Sequence, residues 1–392
     1  MKRSMVMIAA AMTALAGAAV AAPPNAPKVP HYDVFTLNNP LGGTYAQGTS
    51  IDIRNQVAGY AALPGNGVIH AMLWHNGYKP LDLGTLGGPN SAVAWPNRND
   101  KGVIAGISET ATPQPRGEIW SCAQAVFYTA APTGDVCLGF RWQKGVMSQL
   151  PTLGGDNGFA TGIDNAGEIV GWAENTVEDP SCNAPQILQF EAVEWNAKNN
   201  EPTELPPLNG DPDGAATAIN DHGQVVGISG LCANAVGGAS AEHMVLWQNG
   251  APTNLGSLGG QYWNTPMDIN EKGAVTGFSD LPGDGVGSPN FNAFLWTAKG
   301  GLQNIGTLPG DALSEGLGIN DEEVIVGVSF PSGHAFIWQN GAMTDLNALI
   351  SPDSNLVLVD AQDINDDGLI TGEAQNKTTG TIAAFVAVPR GK

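Results

Sequence analysis

Apolar positions along this chain fall into short runs, too brief for helices, and the runs recur in a fixed order. The clearest copy lies around 293–329, where AFLW is followed by a turn, GLQNIGTLPG, SEGLGIN and EEVIVGVS. Aligned on the glycine that ends each valine-rich run, the copies fall at Gly59, Gly106, Gly171, Gly227, Gly277, Gly327 and Gly372, at intervals of 45 to 65 residues. Seven residues before each glycine stands a short polar side chain: Asp52, Asn99, Asp164, Asn220, Asn270, Asn320 or Asn365. Four residues before it comes a second glycine (Gly102, Gly167, Gly223, Gly273, Gly368), with Asn55 as a substitute that tolerates positive φ and Glu323 as the one departure. The pattern predicts a hairpin: an apolar strand, an Asx-capped turn with a left-handed residue, and a second strand. Seven such units predict a repeat architecture rather than a row of independent domains.

Each unit carries four strand candidates. The first precedes the Asx turn and is rich in Ala and Gly; the second is the valine run. The third ends in Trp74, Trp142, Trp195, Trp247, Trp296 or Trp338, and the fourth alternates polar and apolar residues before a Leu-Gly turn such as LGSLGG. Small residues first and a half-wet strand last match a propeller blade, whose inner strand lines a narrow channel and whose outer strand meets water. The chain begins on a lone fourth strand near 32–38 and ends on a third strand near 383–388. Pairing them predicts an all-β, seven-bladed propeller of four-stranded antiparallel blades, closed by its own termini and without free sheet edges. The domain reading is a signal peptide over 1–21, a Pro-rich leader over 22–31 and one propeller over 32–392.

Lys2 and Arg3, an apolar Ala-rich stretch and the small-residue site Ala19-Val20-Ala21 are the marks of a secretory signal peptide cleaved near Ala21. No later stretch is long and apolar enough to span a bilayer as a helix, so the expectation is a secreted protein, periplasmic or extracellular, with no integral membrane segment. A formal net charge of −21 argues against nucleic-acid partners. The four cysteines, Cys122, Cys137, Cys182 and Cys232, lie in insertions between strands and read as two disulfides in an oxidising compartment. Cys122 and Cys137 share one insertion and could clamp it; Cys182 and Cys232 lie in insertions of adjacent blades and could bridge them. Three pairings are open on sequence alone.

The runs AFLW, LGTLGG, and IN followed by a hairpin and VVG resemble the HAF family of bacterial extracellular repeat proteins. Residues 83–88 read LGTLGG, 150–155 read LPTLGG and 255–260 read LGSLGG, while 205–210 depart as LPPLNG and the seventh copy loses the motif after Leu346. The resemblance covers the whole mature chain. It implies an exported repeat protein and brings no catalytic residues.

The insertions 109–136, 173–189, 230–242 and 280–292 all join second to third strands, so they emerge on one face, where binding loops are expected. Trp120, inside the longest insertion, is the aromatic candidate for ligand contact; the strand-terminal tryptophans read as packing between blades. Asp363, Asn365, Asp367 and Gly368 follow the first half of a calcium loop, but Ala374 stands where a bidentate Glu is required, so no metal or cofactor is expected. The six histidines show no metal-binding spacing, and no nucleophile elbow occurs. The expected function is recognition or scaffolding, by a monomer with a protein or glycan ligand. The alternative is a lyase or hydrolase of extracellular polymer, built at the channel mouth from several blades; a group of acids with perturbed pKa values there would favour catalysis.

Overall fold

The structure is a computed structural model that describes residues 29–75, 77–96, 99–118, 122, 127, 133–236, 241–283, 285 and 289–391. The expected signal peptide and Trp120 lie outside the described residues. Seven four-stranded antiparallel sheets form a seven-bladed β-propeller. Blades 1 to 6 occupy 46–82, 87–149, 158–205, 213–254, 265–306 and 313–345, each running from inner to outer strand in chain order. Blade 7 takes three strands from the C-terminal end, Leu356–Ile364, Ile370–Asn376 and Ile382–Pro389, and its outer strand, Tyr32–Thr36, from the N-terminal end. Tyr32 pairs with Pro389 and Thr36 with Phe385, and just beyond the ladder Leu37 N–H donates to Ala384 O at 2.7 Å. Closure by the two ends is therefore as the strand order predicts.

The inner-to-outer gradient is steep. Every residue of the inner strand Ala46–Ile51 is buried, whereas the outer strand Lys79–Asp82 is largely exposed. Each third-strand tryptophan fills the space between blades. Trp74, Trp195 and Trp247 are almost wholly buried, and their indole N–H groups donate to Asn38 O, Pro151 O and Pro206 O at 2.8, 2.7 and 2.7 Å. These carbonyls belong to the turns that lead into each blade, so one side chain fills the interface and also fixes the blade's entry.

The registering glycines have a physical cause. In six blades the inner strand carries a β-bulge immediately after the residue that faces this glycine, as between Ala160 and Gly162 opposite Gly171. The bulge presses the inner-strand carbonyl towards the second strand, and a Cβ added at Gly171 would lie 1.9 Å from Phe159 O. The turn glycines answer a different demand, the left-handed conformation, and Glu323 adopts it too at φ 56°. The departure in residue type is thus no departure in backbone.

The Asx residues do more than cap their own turns. Asn220 Oδ1 accepts from His222 N–H and Gln224 N–H, as expected, while its Nδ2 donates to Asn270 O of the next blade at 2.9 Å. Asn270 reaches Asn320 O, Asn320 reaches Asn365 O, and Asn365 reaches Asp52 O across the closure, at 2.9, 3.2 and 3.0 Å. Asn99 reaches Asp164 O at 2.6 Å. Aspartate lacks a donor, so the belt has two weak points: at Asp52 the paired Arg54 guanidinium extends to Asn99 O at 3.5 Å, and at Asp164 no side chain among the described residues substitutes.

Candidate functional site

The belt closes one end of the ring; the candidate chemistry lies towards the other, where the inner strands begin. Two halves differ there. In blades 2 to 4 the described parts of the long second-to-third connections interlock as a collar, and blade 5 carries a further long connection beside it. Cys122 of the blade 2 insertion pairs with Cys137, which lies on the third strand of that blade rather than in the insertion, and Cys182 pairs with Cys232 between the insertions of blades 3 and 4. That is one of the three pairings left open by the sequence. Asn183 Nδ2 donates to Ala233 O at 3.0 Å, and Asn264 Nδ2 to Glu242 O at 3.2 Å, carrying the linkage towards blade 5. Beneath the collar, Phe127 and Cys122 join a buried cluster with Tyr60, Phe159, Trp172 and Phe190. Phe159 packs edge-on against Trp95 and Trp172, with centroids 5.5 and 6.2 Å apart.

Blades 6, 7 and 1 carry only short connections: 331–333, 377–381 and 63–68. Here the inner-strand position just before the residue opposite the registering glycine holds Glu315, Asp360 and Gln47, where blades 2 to 4 place Ala92, Phe159 and Ala215. Glu373, paired to Asp360 in the second strand, completes an acid group. The group is tightly wired. Asp360 Oδ2 accepts from Gln47 Nε2 and Gln362 Nε2, both at 3.0 Å, and its Oδ1 accepts Glu373 N–H at 2.7 Å. Tyr45 Oη donates to Glu373 Oε1, and Tyr60 Oη to Gln47 Oε1.

Burial governs the charge of these groups. It pushes Glu315 up to about 7, with Asp360 adding repulsion, and it raises Glu373 well above the usual carboxylate range, Asp360 again adding to it. Asp360 is also raised by burial, against the pull of three donors. All three are thus held above the ordinary carboxylate range, Glu315 close to neutrality. The trio can donate and accept hydrogen bonds together, and the unlike environments of its members suit an acid and a base side by side.

The residues marked out by sequence are disposed otherwise. His70, His243 and His334 each bond an acid, Asp82, Asp211 and Asp345, at 2.9, 2.8 and 2.9 Å, on three separate blades, and do not converge. In the calcium-like run, Asp363 accepts Ile51 N–H and Ile364 N–H while Asn365 serves the belt, so their oxygens face backbone donors. The strand-terminal tryptophans pack between blades. Glu315, Asp360 and Glu373 lie in no local motif; the signal available for Glu315 and Asp360 was a charged residue at a repeat position that holds Ala, Phe, Thr or Gln in the other blades.

No protein-family model matches the chain, and no curated protein sequence matches it. Among solved structures, a virginiamycin B lyase from Staphylococcus aureus is similar at TM-score 0.50 and 10% identity, over 91% of this chain and 98% of that one. An oligogalacturonate lyase solved with manganese is similar at TM-score 0.48 and 10% identity, over 92% and 97%. Likeness at this identity defines a class by fold: a β-propeller protein. Within that class the chain is a seven-bladed, disulfide-containing propeller closed by its own ends. No described helix is long and apolar enough to cross a membrane.

Proposed function

We propose that the protein is an exported HAF-type propeller of the cell envelope or extracellular space that recognises a hydroxyl-rich glycan at the open half of its axial mouth. The observation that carries this reading is the Glu315, Asp360 and Glu373 group, set with Tyr45 and Gln47 where the three blades have no insertions. Carboxyls raised above their ordinary range, amides and phenols offer mixed donors and acceptors at short range, the set that sugar hydroxyls require. The signal-like N-terminal segment and the two disulfides support export. The neighbouring collar supplies rigidity to the rim.

A second reading has its own support: Glu315 near neutrality beside two further acids suits general acid-base cleavage of the same polymer. A glycan array with the mature chain, followed by a depolymerisation assay on every hit, tests both. Binding that weakens roughly tenfold or more in Asp360→Asn and Glu373→Gln, with intact polymer, supports recognition. Cleavage lost in Glu315→Gln, with binding kept, supports the enzyme. Glycan binding unchanged in all three variants would place the ligand elsewhere.

A further inference from the structure

A second acid group lies inside the collar and is independent of the axial one. Glu118, from the blade 2 insertion, and Glu174, on the second strand of blade 3, are both wholly buried, and Asp156 stands beside them. One oxygen from each of the three lies within 4.8 Å of the others. The carboxylates are held from outside by backbone and amide donors. Glu118 Oε1 accepts Ile187 N–H and Leu188 N–H at 2.9 and 2.6 Å. Glu174 Oε2 accepts Asp156 N–H and Asn157 N–H at 3.0 and 2.8 Å, and its Oε1 accepts Asn157 Nδ2 and Gln186 Nε2, both at 2.9 Å.

Two oxygens are left over. Glu118 Oε2 and Gln186 Oε1 are buried and have no hydrogen-bond partner, and the two residues are 0% and 3% exposed. The Gln186 amide is part of the same group, since its Nε2 contacts Glu174 and, at 3.5 Å, Glu118 Oε1. An unpartnered carboxylate oxygen in a dry site is costly unless a proton or a cation faces it. The neighbouring cation, Arg116, pairs with Asp156 from a largely exposed position at the rim. Counted in their ordinary ionised forms, three carboxylates against one guanidinium leave two negative charges, and burial, with repulsion from Glu118, raises Glu174 above its usual range when no cation faces it.

We propose that Glu118, Asp156, Glu174 and the carbonyl oxygen of Gln186 form a calcium-binding site that fastens the blade 2 insertion to blade 3. The donor set is all oxygen, mostly anionic and free of imidazole or thiolate, which selects a hard cation; carboxylates able to bind through one or both oxygens suit the variable coordination of calcium better than the strict octahedron of magnesium. The ion replaces the missing donors of Glu118 Oε2 and Gln186 Oε1 and balances the two excess charges. It acts beside the two disulfides and for the same end, a rigid collar.

The test uses the full mature chain with disulfides intact, stripped with chelator and titrated with CaCl2 by calorimetry and by thermal unfolding. One calcium per chain is expected, with a rise in Tm. Glu118→Gln should weaken binding by more than the roughly 10–100-fold typical of losing an outer partner, and Gln186→Leu by less, while Asp363→Asn leaves it unchanged. No heat and no Tm change up to about 10 mM calcium, above the ~10⁻³ M range of weak extracellular sites, would overturn the proposal. So would binding retained in the Glu118→Gln, Glu174→Gln double variant. Should that variant fold poorly, Gln186→Leu decides: unchanged affinity there also sinks the site.

Discussion

Blades 2 to 5 and blades 6, 7 and 1 are built on one repeat and share the registering glycine and the Asx turn, with the bulge at that glycine in every blade but the second and the third-strand tryptophan in every blade but the seventh. Their upper ends nevertheless differ in kind. In the first group the connections grew long, and those of blades 2 to 4 form a disulfide-tied collar over aromatic residues. In the second they stayed short, and the equivalent inner-strand positions carry acids in blades 6 and 7 and an amide, Gln47, in blade 1. The belt end bonds from blade to blade at five of the seven turns through an Asn side chain and so tolerates little change. The other end carries the variable loops, and there each half could take its own chemistry without disturbing closure.

The largest effect expected from breaking this contrast is loss of the collar's covalent ties. Cys182 and Cys232 enclose a separation of 50 residues, and replacing both with Ser should destabilise the collar by about 4 kcal/mol. Replacing Cys122 and Cys137, with a separation of 15, should cost about 3 kcal/mol. The damage should stay local: protease cleavage within 173–242, with amide exchange at Phe385 and Val386 in the closing blade still slow. Equal acceleration of exchange in blade 7 would show that the halves unfold as one unit and that the division drawn here is cosmetic.

Acid titration separates the halves next. In the collar half, burial pushes Asp213 up to about 9, helped by its hydrogen bond to Asp179, and pushes Glu191 up to about 8, helped by repulsion from Glu204. In the open half Glu315 reaches only about 7. Each group binds a proton in the folded chain that the unfolded chain has released between its ordinary value and the raised one. Its contribution is therefore complete at low pH and is lost as pH rises through that window. Tm should fall from about pH 5 upwards, the Glu315 part ending near 7 and the collar part continuing to about 8–9. Glu315→Gln should flatten the lower segment, worth roughly 2 kcal/mol, and Asp213→Asn the upper one. A Tm profile of Asp213→Asn that parallels the unmodified protein above pH 7 would refute the assignment.

The two halves were also unequally legible in the sequence. Blade count, strand order and closure could be read because they rest on local, repeated chemistry: a glycine under a bulge, an Asx oxygen on a turn, an indole between sheets. The disulfide partners narrowed to sensible choices for the same reason, since the insertions that hold them are neighbours. The acid groups could not be read. Gln47, Glu315, Asp360 and Glu373 come from three blades, and Glu118 meets Glu174 only once two insertions interlock. The belt was half legible: Asn220 as a turn cap follows from spacing, whereas its Nδ2 reaching Asn270 O needs the neighbouring blade in place.

That belt yields the smallest prediction and the one that probes what the halves share. At Asp164 the circumferential chain breaks, since a carboxylate caps Gly167 N–H and Glu168 N–H but has nothing to donate onward to Asn220 O. Burial also holds the Asp164 carboxyl above its usual range, so the charge is itself unfavourable there. Asp164→Asn keeps the capping oxygen, removes the charge and adds the donor that Asn220, Asn270 and Asn320 use in the same place. The expected gain is about 1 kcal/mol, or about 2 °C in Tm. Asn270→Asp is the converse, opening a second gap between blades of which one belongs to each half, and should lose a similar amount. Should both substitutions leave Tm unmoved, the side-chain belt contributes nothing to closure, and the common frame of the two halves would rest on the tryptophans and the paired termini alone.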